Sequence, residues 1–125
     1  MIFDTDIMIW YFRGNNDAAL ILKKDMPISV SCITLIELLQ GAKNKADQKI
    51  IYEDLKAWKA EIININENIS TIATQLIRDF SLSKGLSITD AFIAATAQEK
   101  SEELYTANEK HFKFIPGLKL RVFRP

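Results

Sequence analysis

The 125-residue chain is 48% apolar and 26% charged, the balance of one ordinary globular domain large enough to build its own core. Sixteen Lys and Arg offset sixteen Asp and Glu, so no overall positive field draws the chain to nucleic acid, and a polyanion must be met by a local basic patch or a bound metal. The single Cys32 excludes an internal disulfide, no Cys/His cluster suggests zinc, and neither a membrane-spanning run nor a signal peptide is visible; together these point to a reducing, cytoplasmic setting.

The first six residues, Met1-Ile2-Phe3-Asp4-Thr5-Asp6, organise the rest. A short apolar run ending in carboxylates reads as a first strand that stops at Asp4. In open parallel α/β sheets, ligands bind beyond the carboxyl ends of the strands, where strand order reverses. Asp4 would stand there. Asp4 and Asp6 also suit a simpler role, capping the helix that starts near Ile7.

That helix carries Ile7, Ile9, Trp10 and Tyr11 and ends near Gly14. Asn15 and Asn16 introduce a second helix over 17–25, which Pro27 breaks. Ile28 to Ser31 is β-prone and predicts strand two. A third helix follows, with Leu35, Leu38 and Leu39 on its apolar face and Gly41 at its end. Glu37 sits inside it. Thr34-x-x-Glu37 fits a capping box, yet a helix leaving a strand starts at the same end of the sheet as Asp4, so Glu37 suits a site as well.

Residues 45–60 predict an amphipathic helix through Ile51, Leu55 and Trp58. Its other face bears Lys45, Lys49, Lys56 and Lys59, a solvated face or an RNA-facing patch. Ile62 to Ile65 is strand three. The clearest helix spans 67–82, with Ile69, Ile72, Ala73, Leu76 and Phe80 in helical register. After a loop at 83–86, a helix of small residues (Ala91 to Ala97) leads into strand four, Leu104 to Thr106. Asp90 lies in its first turn, where the helix dipole favours an ionised carboxylate; Ser87-x-x-Asp90 also fits a capping box. In a sheet ordered 3-2-1-4-5, strands one and four are neighbours, and Asn108 would face Asp4. His111, the only histidine, reads as a loop residue beside Phe112 rather than a general base. Lys119 to Phe123 predicts a last, edge strand.

Four elements thus carry Asp4, Glu37, Asp90 and Asn108 to one end of one sheet. Each carboxylate pair at 4 Å costs about 1 to 4 kcal/mol, according to effective dielectric. A divalent cation relieves that repulsion, and oxygen-only ligands select hard ions such as Mg²⁺ or Mn²⁺, which act on phosphates.

These motifs resemble those of the PIN-domain ribonucleases, most closely the VapC-type toxins of toxin–antitoxin pairs. Asp4-Thr5-Asp6 matches the family's opening, Thr34-Leu35-Ile36-Glu37-Leu38 its second motif and Asp90 to Ala97 its third. Thr106-Ala107-Asn108-Glu109-Lys110-His111-Phe112 matches the fourth loosely. The resemblance covers nearly the whole chain. It implies a single PIN-like α/β domain over 1–125, with a five-stranded, mostly parallel sheet (order 3-2-1-4-5) flanked by helices. It implies an Mg²⁺- or Mn²⁺-dependent endoribonuclease, a homodimer and a cognate antitoxin. Asp4 and Asp90 would be the main metal ligands. Glu37 would bind metal through water or orient the attacking water, and Asn108 would complete the ring. Thr5, Thr34 and Thr106 could fix the carboxylates by hydrogen bonds. Many members carry Asp where Asn108 stands, and often another where His111 stands; Asn is neutral, so a second metal should bind more weakly unless Glu109 turns inward.

Two other readings stand beside this one. Asp-x-Asp after a first strand also opens the haloacid-dehalogenase phosphatases, whose first Asp is a nucleophile, although no distal acidic pair follows strand four. A PIN-like binding module without activity is the other.

Overall fold

The computed structural model describes residues 1–125 and runs β1 (Ile2–Phe3), α1 (Thr5–Phe12), α2 (Asn16–Lys24), β2 (Ser29–Ser31), α3 (Cys32–Gly41), α4 (Lys45–Ala57), β3 (Glu61–Ile63), α5 (Glu67–Lys84), α6 (Ile88–Glu99), β4 (Leu104–Thr106), a 3₁₀ turn (Glu109–His111) and β5 (Leu120–Val122). The five strands form one parallel sheet in the order β3-β2-β1-β4-β5. The expected order is therefore present, and every pairing is parallel. Strand order reverses between β1 and β4, where Ile2 pairs with Leu104 and Phe3 with Tyr105.

The sheet is covered on both faces, as a parallel sheet of this kind requires. Ile2, Ile63 and Leu104 belong to a core shared with Ile69, Ala73 and Leu76 of α5 and the alanines of α6. Phe3 and Val30 point the other way, into a core with Ile7 and Met8 of α1, Leu22 of α2, Leu38 of α3, and Ile51, Leu55 and Trp58. Helix α3 serves both sides: Ile33 packs on the first core, Leu35 and Leu39 on the second.

Local chemistry sets the boundaries. Asp4 caps α1 directly, so β1 holds two residues and the helix starts at Thr5, two residues before Ile7. Helix α5 continues to Lys84 because Gly85 takes a left-handed turn (φ 68°) as its C-cap, a conformation open to glycine at little cost. The expected loop at 83–86 shrinks accordingly. Helix α4 stops at Ala57, short of residue 60. Its lysines Lys45, Lys49 and Lys56, and Lys59 just beyond it, are exposed, with one i,i+4 contact, Lys49 to Glu53 at 3.9 Å. Exposed pairs of this kind add little stability.

Ala91, Ala94, Ala95 and Ala97 of α6 are wholly buried, which lets the helix lie close against the sheet and α5. Ala94→Leu should overpack this layer and lower stability by about 1–3 kcal/mol, read from urea unfolding; an unchanged midpoint would mean the layer has room to spare.

Candidate active site

The backbone places the first carboxylate. Asp4 N–H donates to the Tyr105 carbonyl at 2.8 Å, continuing the β1–β4 ladder by one residue. Thr106 then falls beside Asp4, and its hydroxyl donates to Asp4 Oδ2 at 2.8 Å. Asp4 Oδ1 accepts from Thr5 N–H, also at 2.8 Å. Asp4 is thus both helix cap and site residue, and it is only 5% exposed.

Glu37 is not in a capping box. Helix α3 begins three residues earlier than that motif requires, capped by Ser31, whose Oγ accepts from Ile33 N–H at 3.1 Å. Glu37 instead turns toward α1. Thr5 Oγ1 lies 2.7 Å from Glu37 Oε1 and 2.9 Å from the buried Thr34 Oγ1. A hydroxyl has one proton and an ionised carboxylate only accepts. Thr5 therefore donates to Glu37 and accepts from Thr34.

Asp90 lies in the first turn of α6, and its own N–H donates to the capping Ser87 Oγ at 3.1 Å. Its carboxylate meets His111 Nδ1 at 3.2 Å. His111 is accordingly more than the loop residue expected: it flanks Phe112 and also contacts the third site acid. Glu109 does not turn inward. It lies 3.8 Å from Arg124 instead.

Asn108 does not face Asp4. Its side-chain amide donates to Asp6 Oδ2 at 2.6 Å. The same oxygen accepts from Ala107 N–H at 3.1 Å and lies 3.3 Å from Thr106 Oγ1. Asp6 Oδ1 is buried and has no partner. Sequence reasoning missed Asp6 as part of the cluster, having given it only a capping role. The signal was there: an Asp-x-Asp doublet just past a strand puts the second acid within reach of the neighbouring strand's loop, where an asparagine could hold it.

The electrostatics follow from this crowding. Burial first, then the charges of Asp6 and Asp90, push the Asp4 carboxyl well above its ordinary range, against the Thr106 and Thr5 hydrogen bonds. Burial also raises Asp6, opposed most by the Ala107 N–H. Asp90 is raised by burial and drawn back by His111.

Such a cluster suits a divalent cation in kind. The donors are carboxylate oxygens with one imidazole beside them, and one buried oxygen, Asp6 Oδ1, is orphaned. No three acidic, His or Cys side chains are spaced to cage an ion on their own, so water would have to complete its shell, as is usual for Mg²⁺.

A parallel 3-2-1-4-5 sheet with acids gathered where its order reverses defines an open α/β domain with its site beyond the carboxyl ends of the strands. The chain belongs to the PIN domain family, whose model matches residues 1–117. It is 29% identical to Ribonuclease VapC1 of Methanocaldococcus jannaschii over 127 residues, covering 98% of this chain and 86% of that one. Its fold matches a toxin-antitoxin complex from Klebsiella pneumoniae, with 34% identity, coverage of 94% and 93%, and a TM-score of 0.78. It also matches VapBC2 from Rickettsia felis, solved bound to a promoter DNA fragment, with 26% identity, coverage of 99% and 100%, and a TM-score of 0.76.

The raised carboxyls make metal-free stability depend on pH in a defined direction. A group whose folded-state pKa lies above its ordinary value of 3.8 stabilises the fold fully below that value, and the contribution fades as pH rises through the folded pKa. Asp4→Asn removes the largest of these groups. The melting temperature of the metal-free mutant should therefore exceed that of wild type by a margin that widens from acid toward neutral pH. A margin constant with pH would show that Asp4 titrates in its ordinary range.

Proposed function

We propose that this chain is a metal-dependent endoribonuclease, the toxin of a toxin–antitoxin pair. The observation that carries this reading is the gathering of Asp4, Asp6 and Asp90 at the carboxyl end of the sheet, with Asp4 buried and all three carboxyls raised by desolvation, Asp4 also by the charges of the other two. Structural carboxylates are seldom gathered at such a cost without a task. The family membership and the relatives named as VapC ribonucleases support the same reading.

Asp4 and Asp90 would hold Mg²⁺ or Mn²⁺, with Glu37 joining through water. The ion supplies charge stabilisation at the scissile phosphate and a more acidic water. The chain's own residues do the rest. Thr106 and Thr5 hold the Asp4 carboxylate by one hydrogen bond to each oxygen. Thr5, itself held by Thr34, fixes one oxygen of Glu37, leaving the other to orient an attacking water. The burial of Asp4 excludes bulk water from one side of the reacting centre. A haloacid-dehalogenase mechanism needs a free nucleophilic oxygen on Asp4. Both of its oxygens are engaged and the side chain is buried, which disfavours attack.

The partners follow from the surface beside this site. Ile7 and Met8 are buried and Tyr11 packs edge-on against Trp58, ring centroids 4.9 Å apart, but Ile9 and Phe12 stay 38% and 40% exposed. They line a groove of about 680 Å³ with Leu38, Ile50 and Ile51, and Glu37 stands in its wall. An amphipathic segment of an antitoxin would cover it. Leu82 and Ile88, the most exposed large apolar side chains, lie around the α5–α6 turn and offer a contact for a homodimer. No helix is long and apolar enough to cross a membrane, and the free Cys32 suits a cytoplasmic setting.

Purified protein should cut RNA with Mg²⁺ or Mn²⁺ and stop when EDTA is added. Asp4→Asn should lower the rate at saturating Mn²⁺ by at least about a hundredfold, of the order seen when one electrostatic catalytic group is removed. Cleavage that persists in EDTA, or a mutant at wild-type rate, would refute the metal site.

A second outcome concerns the groove. Residues 7–13 should gain hydrogen-exchange protection when the antitoxin binds. If protection there is unchanged in both the antitoxin complex and the dimer, the partner lies elsewhere.

A further inference from the structure

We propose that Asp6, rather than Asn108, is the fourth acidic residue of the site, and that Asn108 is the positioning residue that aims it. The inference rests on the metal-dependent reading above. Three observations carry it. Asp6 Oδ2 is fixed by the Asn108 amide at 2.6 Å and the Ala107 N–H at 3.1 Å, both from the loop after β4. The Thr106 hydroxyl, 3.3 Å away, gives its proton to Asp4 at 2.8 Å and so links the two acids without satisfying Asp6. Asp6 Oδ1 is then the one buried side-chain polar atom in the molecule without a partner.

A carboxylate held by one oxygen has its other oxygen aimed. An unpaired buried carboxylate oxygen is costly and calls for a donor or a cation. Asp6 leaves the first turn of α1 two residues after Asp4 and shares Thr106 with it, so its carboxylate belongs to the same cluster.

The neutrality of Asn108 then has a reason. An amide can donate to Asp6; a carboxylate at position 108 would set two acceptor-only groups 2.6 Å apart. Position 108 contributes no charge, and the carboxylate beside it arrives from α1 instead. Asn108 makes no side-chain cap to the 3₁₀ turn that it precedes, since its side chain is committed to Asp6.

The test is a double-mutant cycle read by Mn²⁺ titration calorimetry on the full chain, free of RNA: wild type, Asp6→Asn, Asn108→Ala and the double mutant. Asp6→Asn keeps the side chain's shape and should weaken Mn²⁺ binding by about tenfold or more, and Asn108→Ala by less, in the range typical of groups that orient metal ligands. The double mutant should bind no more weakly than Asp6→Asn alone, because Asn108 acts only through Asp6. A merely structural role for Asn108 would not produce that non-additivity. Wild-type affinity in Asp6→Asn would overturn the assignment of Asp6 while leaving the metal site standing. Additive losses would overturn the positioning role of Asn108. Failure of wild type itself to bind Mn²⁺ would overturn the metal reading and this inference together.

Discussion

The Thr106 hydroxyl donating to Asp4 is the contact on which the site depends. It is possible only because β1 and β4 are parallel neighbours in one register, with Ile2 opposite Leu104 and Phe3 opposite Tyr105. Parallel strands end at the same side of the sheet, so the residues just past each strand meet. Asp4, Ala107 and Asn108 occupy those positions, Thr106 ends β4 beside them, and Asp6 joins them from the first turn of α1. A one-residue slip would turn Phe3 and Ile2 to the wrong cores and carry Asp4 away from Thr106 at once. Hydrophobic register and site geometry are therefore one constraint.

Burying these acids works against the fold. The carboxyls of Asp4, Asp6 and Asp90 are all raised above their ordinary range, and desolvation is the largest cause in each case. The offset comes from elsewhere: two apolar cores, one on each face of the sheet, built from strands whose successive side chains alternate between them. Hydrogen bonds temper the local cost without removing it. The arrangement is that of a site held in readiness by surroundings that are stable without it.

Much of this was legible in the chain. The helix through Ile69, Ala73 and Leu76 is where its period puts it, because burial on one face enforces that period. The small residues of α6 announced a close-packed helix, and Asp90 in its first turn followed from the strand it feeds. Glu37 was placed at the right end of the sheet, but its partner was not: Ser31 outcompeted Thr34 as the cap of α3, which freed Thr34 to face Thr5. Asn108 was placed in the right loop and given the wrong neighbour. Two acids two residues apart look alike in sequence, and only the twist from strand into helix decides that Asp4 takes Thr106 while Asp6 takes Asn108. The His111 contact with Asp90 was equally hidden, since it joins a helix start to a turn 21 positions later through packing alone.

Glu37 ties the site to its surroundings. One side of it hydrogen-bonds Thr5, whose backbone N–H holds Asp4. The residue also stands in the wall of the apolar groove formed with Ile9, Phe12 and Leu38. Whatever seats in that groove touches a side chain one residue's reach from the buried carboxylate. Helix α3 can bridge the two because it packs on both cores, its Ile33 on one and its Leu38 on the other. The groove wall and the buried carboxylate are thus linked through Thr5, which bonds Glu37 by its hydroxyl and Asp4 by its backbone N–H, with Thr34 behind it.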